Sequence, residues 1–109
     1  MDPQAKAALL AALTDDDMPE TIPGARAAID RIDAALATLL ERRAELAATV
    51  QRLKPVGGFA GRDPGREREI VEAMASRAPR LGADRLARIM TAVIETGLEA
   101  SEEHDLSSA

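Results

Sequence analysis

Arg26, Arg43, Lys54, Asp63, Arg66 and Glu67 are the residues of this chain whose types and spacing could do chemistry. Arg43 stands where a hydrophobic residue belongs. From Ile22 onward two seven-residue rows interleave, Ile22/Ile29/Leu36/Arg43/Val50 and Ala25/Ile32/Leu39/Leu46/Leu53, the pattern of a long packed helix. A guanidinium on that seam is costly unless an opposite charge is held against it, so the position calls for a buried acid or a bound anion. Lys54 lies eleven residues on, close to three full turns, which puts it on nearly the same face ~16 Å along the axis. Arg26, seventeen residues before Arg43, is ~25 Å away along the same rod and reaches such a site only from a second copy. On the following helix Glu67 shares an apolar stripe with Val71, Met74 and Ala78, with Asp63 and Arg66 in the first turn. Together these residues describe a pocket in a helical bundle, lined by two or three cations and one or two acids, suited to a small polyanion with a hydroxyl.

Each residue also has a plainer reading. Arg43 and Glu67 could form a structural ion bridge with each other. Lys54 is favoured near a helix C-terminus by the dipole alone, and Asp63 ahead of Pro64 is explained as an N-cap. Arg26 at the start of a rod would be a solvated charge, and Arg66-Glu67-Arg68-Glu69 an ordinary solvated face. His104, in a polar tail, is read as inert.

Four segments position these groups. Residues 3–13 suit a short helix, with Asp2 as N-cap and Pro3 at its first position. An acidic linker, Thr14 to Glu20, and Pro23-Gly24 precede the long helix. That helix runs unbroken from Ala25 to Lys54, until Pro55 and Gly57-Gly58 turn the chain. A second helix opens at Asp63-Pro64 and runs to about Arg77. After Gly82 a third carries Leu86, Ile89, Met90, Val93, Ile94 and Leu98 at three- and four-residue spacings, before a polar tail that should fray from Ser101. The domains read as an N-terminal extension (1–21), a helical domain (22–101) and a C-terminal tail (102–109). Thirty helical residues make a rod of ~45 Å, whereas a domain of this size has a radius of gyration of ~13 Å. The two shorter helices cannot cover so long an apolar seam, so an all-α, intertwined homodimer of three main helices is expected.

Composition agrees and excludes alternatives. The 109 residues are 46% hydrophobic with one Phe and no Trp or Tyr, so one domain must build its core from Ala, Leu, Ile, Val and Met, nearly all in helix. The net charge of −5 and the lack of basic runs argue against a nucleic-acid surface. Without cysteine there is no disulfide, thiol nucleophile or thiolate metal site. The apolar stretch Ala7–Leu13 is short and follows an acidic start without a signal's basic region, so no membrane association and a cytoplasmic location are expected.

The order of the charged residues carries more than any one of them. An Arg early in a long helix, an Arg seventeen later, a Lys eleven beyond, then Asp-x-x-Arg-Glu opening the next helix, resembles the all-helical chorismate mutase family. The surrounding stretches Ala28-Ile29-Asp30-Arg31-Ile32-Asp33, Leu39 to Ala47 and Arg66 to Ile70 agree, and the resemblance spans about 22–101. Ile22-Pro23-Gly24-Ala25-Arg26 and Gly57-Gly58 look like short actinobacterial members. The resemblance implies an intertwined dimer with two sites, each completed by the partner's Arg26. It implies the Claisen rearrangement of chorismate to prephenate in phenylalanine and tyrosine biosynthesis, with no nucleophile, metal or cofactor. By the same resemblance Arg26 and Arg43 would hold the two carboxylates and select the near-attack conformer. Lys54 would stabilise charge on the breaking ether oxygen. Glu67 and Asp63 would take the ring hydroxyl, with Arg66 supporting the anionic end.

The third helix departs from the family pattern. Aligning Ile94-Glu95 places Gly97 where a carboxylate-binding serine is common, and Ser101 where a glutamine or glutamate serves the ether oxygen. Losing one such donor can cost ~10²-fold in rate, so a slow enzyme is expected unless something compensates. Water bridging from Ser101 and a register shift of Glu102 are two repairs. A third is activation by 3-deoxy-heptulosonate-phosphate synthase, on which some short actinobacterial relatives depend. Isochorismate pyruvate lyase and amino-deoxychorismate mutase on the same scaffold are the alternative enzymes, and a non-catalytic partner-binding subunit is the alternative outside catalysis.

Overall fold

The computed structural model describes residues 2–14, 17–54 and 62–108, with side chains through 102. The turn expected at Pro55 and Gly57-Gly58 lies outside these residues. Four helices follow one another, α1 (Pro3–Leu13), α2 (Ile22–Leu53), α3 (Pro64–Ala75) and α4 (Gly82–Ser108), and no strand occurs among the described residues. None of these helices is long and apolar enough to cross a membrane. The chain divides into two units, residues 1–39 and 40–109.

In the first unit, α1 begins as the sequence predicts: the Asp2 carboxylate accepts from the Ala5 amide at 2.7 Å, with Pro3 in the first turn. It buries no residue, because its apolar side chains are spread around the axis and leave no face to dock. Thr21 caps α2, its hydroxyl accepting from the Gly24 amide at 3.1 Å. Gly24 is needed there, since a Cβ would lie 2.9 Å from Thr21 Oγ1. The apolar rows of this stretch are uncovered: Ile29 is 54%, Ile32 46%, Leu36 48% and Leu39 65% exposed.

In the second unit α3 packs against α4. This is the only helix pair there whose Cα atoms approach within 8 Å among the described residues. Leu86 and Met90 of α4 are the buried hydrophobic core. Asp63 caps α3, accepting from the Arg66 amide at 3.1 Å, with Pro64 at the first position. After Ala75 the chain turns and Gly82 adopts φ +77°, its amide donating to the Ala78 carbonyl at 3.0 Å. That left-handed conformation favours glycine and fixes where α4 starts. Residues 40–53 of α2 stand further off, and the gap is the cavity described below.

One element runs longer than its pattern suggests. The fraying expected after Ser101 does not occur, and the backbone stays helical to Ser108. A polar stretch loses its apolar period without losing helix propensity, and neither Gly nor Pro interrupts residues 98–109.

Candidate active site

Arg43 of α2 and Lys54 just past its end, together with Asp63, Arg66 and Glu67 at the start of α3, line one cavity of about 400 Å³. Its apolar walls come from Leu46, Val50, Ile70, Ile94 and Leu98. Three helices therefore converge on five of the residues singled out in the sequence. The lining also includes Gln51 and Arg62, neither of which spacing had marked.

Arg62 changes how the site is wired. Its Nε donates to Glu67 Oε2 at 3.1 Å and its Nη2 to Glu67 Oε1 at 2.6 Å, a side-on, two-point grip. Its Nη1 donates to Glu95 Oε1 of α4 at 2.7 Å. The hydrogen bonds from Arg62 hold the Glu67 carboxyl below the usual glutamate range, and its nearby charge adds to that; partial burial and the neighbouring Asp63 act the other way. Glu67 is only 18% exposed in its side chain, which makes the orientation of this carboxylate a built feature.

The ion bridge between Arg43 and Glu67 weighed above is thus not formed: Glu67 is engaged by Arg62. Among the described residues Arg43, half-buried, makes no ion pair or hydrogen bond. Its side chain is part of the cavity lining. Arg66 reaches Glu69 at 3.7 Å with both side chains mostly in solvent, a contact of little energetic weight.

The remaining predicted residues sit elsewhere. Arg26 belongs to the first unit and is exposed. Gly97 is buried in the helix surface, lines neither this cavity nor its neighbours, and a Cβ there would meet nothing within 4 Å. Ser101 is 8% exposed and lines a separate cavity of about 490 Å³ with Arg42, Glu45 and Thr49.

Charge separates the three cavities. The first carries Arg43, Lys54, Arg62 and Arg66 against Asp63 and Glu67. A groove of about 370 Å³ between α3 and α4 has Arg68 against Glu67, Glu72 and Asp84, the wrong sign for an anion. The Ser101 cavity balances Arg42 and Arg52 against Glu41 and Glu45. Of these three, the first carries the excess of positive charge that suits an anion, and its size lies in the range of small-ligand pockets.

Among the described residues, an all-helical scaffold holds a cationic cavity with apolar walls and two acids, an arrangement suited to a small anionic metabolite. Residues 25–102 match the model of the chorismate mutase type II family. The chain belongs to that family. No curated protein and no solved structure matches it.

Proposed function

We propose that the protein is a chorismate mutase, an isomerase that converts chorismate to prephenate by Claisen rearrangement. The observation that carries this reading is the state of Arg43. A guanidinium on an apolar helix face, beside a carboxylate that another arginine has already engaged, is a charge waiting for an anion. Membership of the chorismate mutase type II family supports chorismate as that anion.

In this reading Arg43 takes a substrate carboxylate and Lys54 faces the ether oxygen, where negative charge grows as the C–O bond breaks. Such preorganised charge acts on the transition state more than on the ground state. Glu67 and Asp63 accept from the ring hydroxyl, and Arg66 supports the anionic end. Binding both ends of the substrate restricts it to the folded conformer in which the new C–C bond can form. No proton has to move and no covalent intermediate forms.

The second carboxylate falls to Arg26 of a second copy. The homodimer this requires is supported by the uncovered apolar rows of α2, from Ile29 at 54% to Leu39 at 65% exposure, which water does not favour at this extent. Gly97 contributes no side chain and Ser101 lines a different cavity, so turnover by the protein alone should be slow. 3-Deoxy-heptulosonate-phosphate synthase is the partner proposed to raise it.

The deciding experiment follows chorismate absorbance with purified wild type and Arg43→Ala, identifying the product by chromatography. Prephenate, recovered as phenylpyruvate after acid, should form with wild type and fall at least ~10²-fold with the variant. Salicylate from isochorismate would replace the mutase with the lyase. Wild type that neither binds nor converts chorismate, alone or with the synthase, would sink the proposal.

A further inference from the structure

Glu67 can accept a substrate hydroxyl only if its carboxylate is aimed at the cavity, and it shares that cavity with an unpaired guanidinium. Left to itself, a glutamate side chain in the first turns of a helix samples several rotamers, and ordering it costs up to ~2 kcal/mol. Both groups line one cavity, so a freed carboxylate is also available to pair with Arg43 and neutralise the charge the substrate needs. We propose that Arg62 is a positioning residue, which by gripping Glu67 of α3 and Glu95 of α4 together fixes the Glu67 carboxylate for the substrate hydroxyl and keeps it off Arg43. The inference rests on the function proposed above and deepens it.

Three observations carry it. The grip on Glu67 is two-point, at 3.1 and 2.6 Å, and the planar fork of a guanidinium sets the carboxylate plane as a lysine's point charge does not. The third donor, 2.7 Å from Glu95, ties the guanidinium to α4, so the clamp spans the two helices that pack together in this unit. Arg62 itself immediately precedes Asp63, the cap of α3, so its backbone is placed by the helix start that also places Glu67. The depressed titration of Glu67, caused first by the hydrogen bonds from Arg62, agrees with that geometry.

The test compares wild type with Arg62→Ala and Arg62→Lys. Circular dichroism verifies that each variant is folded, and carbon-13 NMR titration follows the Glu67 carboxyl, assigned with Glu67→Gln. Expected for Arg62→Ala are an upward move of the Glu67 titration and a rise in KM as Arg43 is captured. kcat/KM should fall by up to ~10²-fold, the scale of a misplaced contact group. The acid limb of kcat/KM should shift to higher pH. Arg62→Lys, which keeps the charge but not the fork, should lie between the two and keeps the test open if Arg62→Ala unfolds. A Glu67 carboxyl that titrates alike in wild type and folded variants, or a kcat/KM unchanged within twofold, would overturn the inference. Wild type inert toward chorismate, with Glu67 still shifting between variants, would instead overturn the proposed function and leave the grip standing.

Discussion

Truncating Leu36 to alanine should weaken self-association of the protein by a calculable amount. Leu36 is 48% exposed in the single chain, and complete burial of a leucine is worth ~1.5–3 kcal/mol. About half of that, ~1 kcal/mol, therefore remains to be gained when a second copy covers the seam. Both chains of a symmetric dimer carry the substitution, so the transfer loss alone is ~2 kcal/mol, or roughly 30-fold in the dimer dissociation constant. Any cavity left at the interface adds to it. Sedimentation velocity over a concentration series measures the constant directly. If Arg26 of the partner completes the site, activity should fall with the dimer population, and raising the protein concentration should restore it. A wild type that is monomeric throughout the series and fully active would refute both the covered seam and the shared site. An Arg26→Ala protein mixed with Arg43→Ala protein gives an independent check, because a mixed dimer regains one intact site only if Arg26 acts across chains.

Three further outcomes follow from the structure. A Cβ at Gly97 meets nothing within 4 Å, so Gly97→Ala should stabilise α4 by about 0.5–1 kcal/mol through backbone entropy alone, read as a higher urea midpoint. Gly97 lines none of the three cavities, so Gly97→Ser should fold equally well and leave kcat/KM unchanged; a raised value would show that this position faces the substrate. The Glu67 carboxyl is depressed in the folded state. The stability it contributes is therefore complete above the ordinary glutamate range and is lost as pH falls through its lowered folded value. The gap in urea midpoint between wild type and Arg62→Ala should accordingly be widest near neutrality and narrow in acid, and a gap independent of pH would contradict the bridge.

Much of the scaffold was legible because its signals are periodic or local. α2 was readable from two seven-residue rows without a breaker, and the starts of α1 and α3 from Asp-Pro pairs whose caps form as expected. The end of α4 was not, since residues 102–108 carry a single apolar residue, Leu106, and a stretch without an apolar stripe resembles a tail. The gathering of Arg43, Lys54, Asp63, Arg66 and Glu67 around one cavity was legible from helical spacing. Arg62 was not: it precedes the cap, and its partners lie five and thirty-three residues away, separations that no helix period generates. The only hint was a basic residue just ahead of an N-cap. The opening of Ser101 onto a different cavity was not legible either, because it depends on how α4 meets residues 41–52, a tertiary matter.

The missed residue explains why the conspicuous one can exist. Had Glu67 been free, Arg43 could pair with it across the cavity they share, and the guanidinium at the apolar wall would be neutralised. Arg62 removes that solution by occupying both oxygens of Glu67, and Glu95, half-exposed at 50%, takes up the remaining donor. The excess positive charge is thereby moved from an exposed arginine onto Arg43 at the apolar wall, where a lower local dielectric strengthens its pull on an anion. Water can solvate Arg43 while the seam is open, which keeps the folding cost small. A second copy covering α2 would exclude some of that water and raise the attraction for a dicarboxylate at the moment the second arginine arrives. Covering Arg43 costs the dimer free energy that a bound dicarboxylate returns, so dimerisation and substrate binding would be coupled, and a chain that could not dimerise would lose more than one contact.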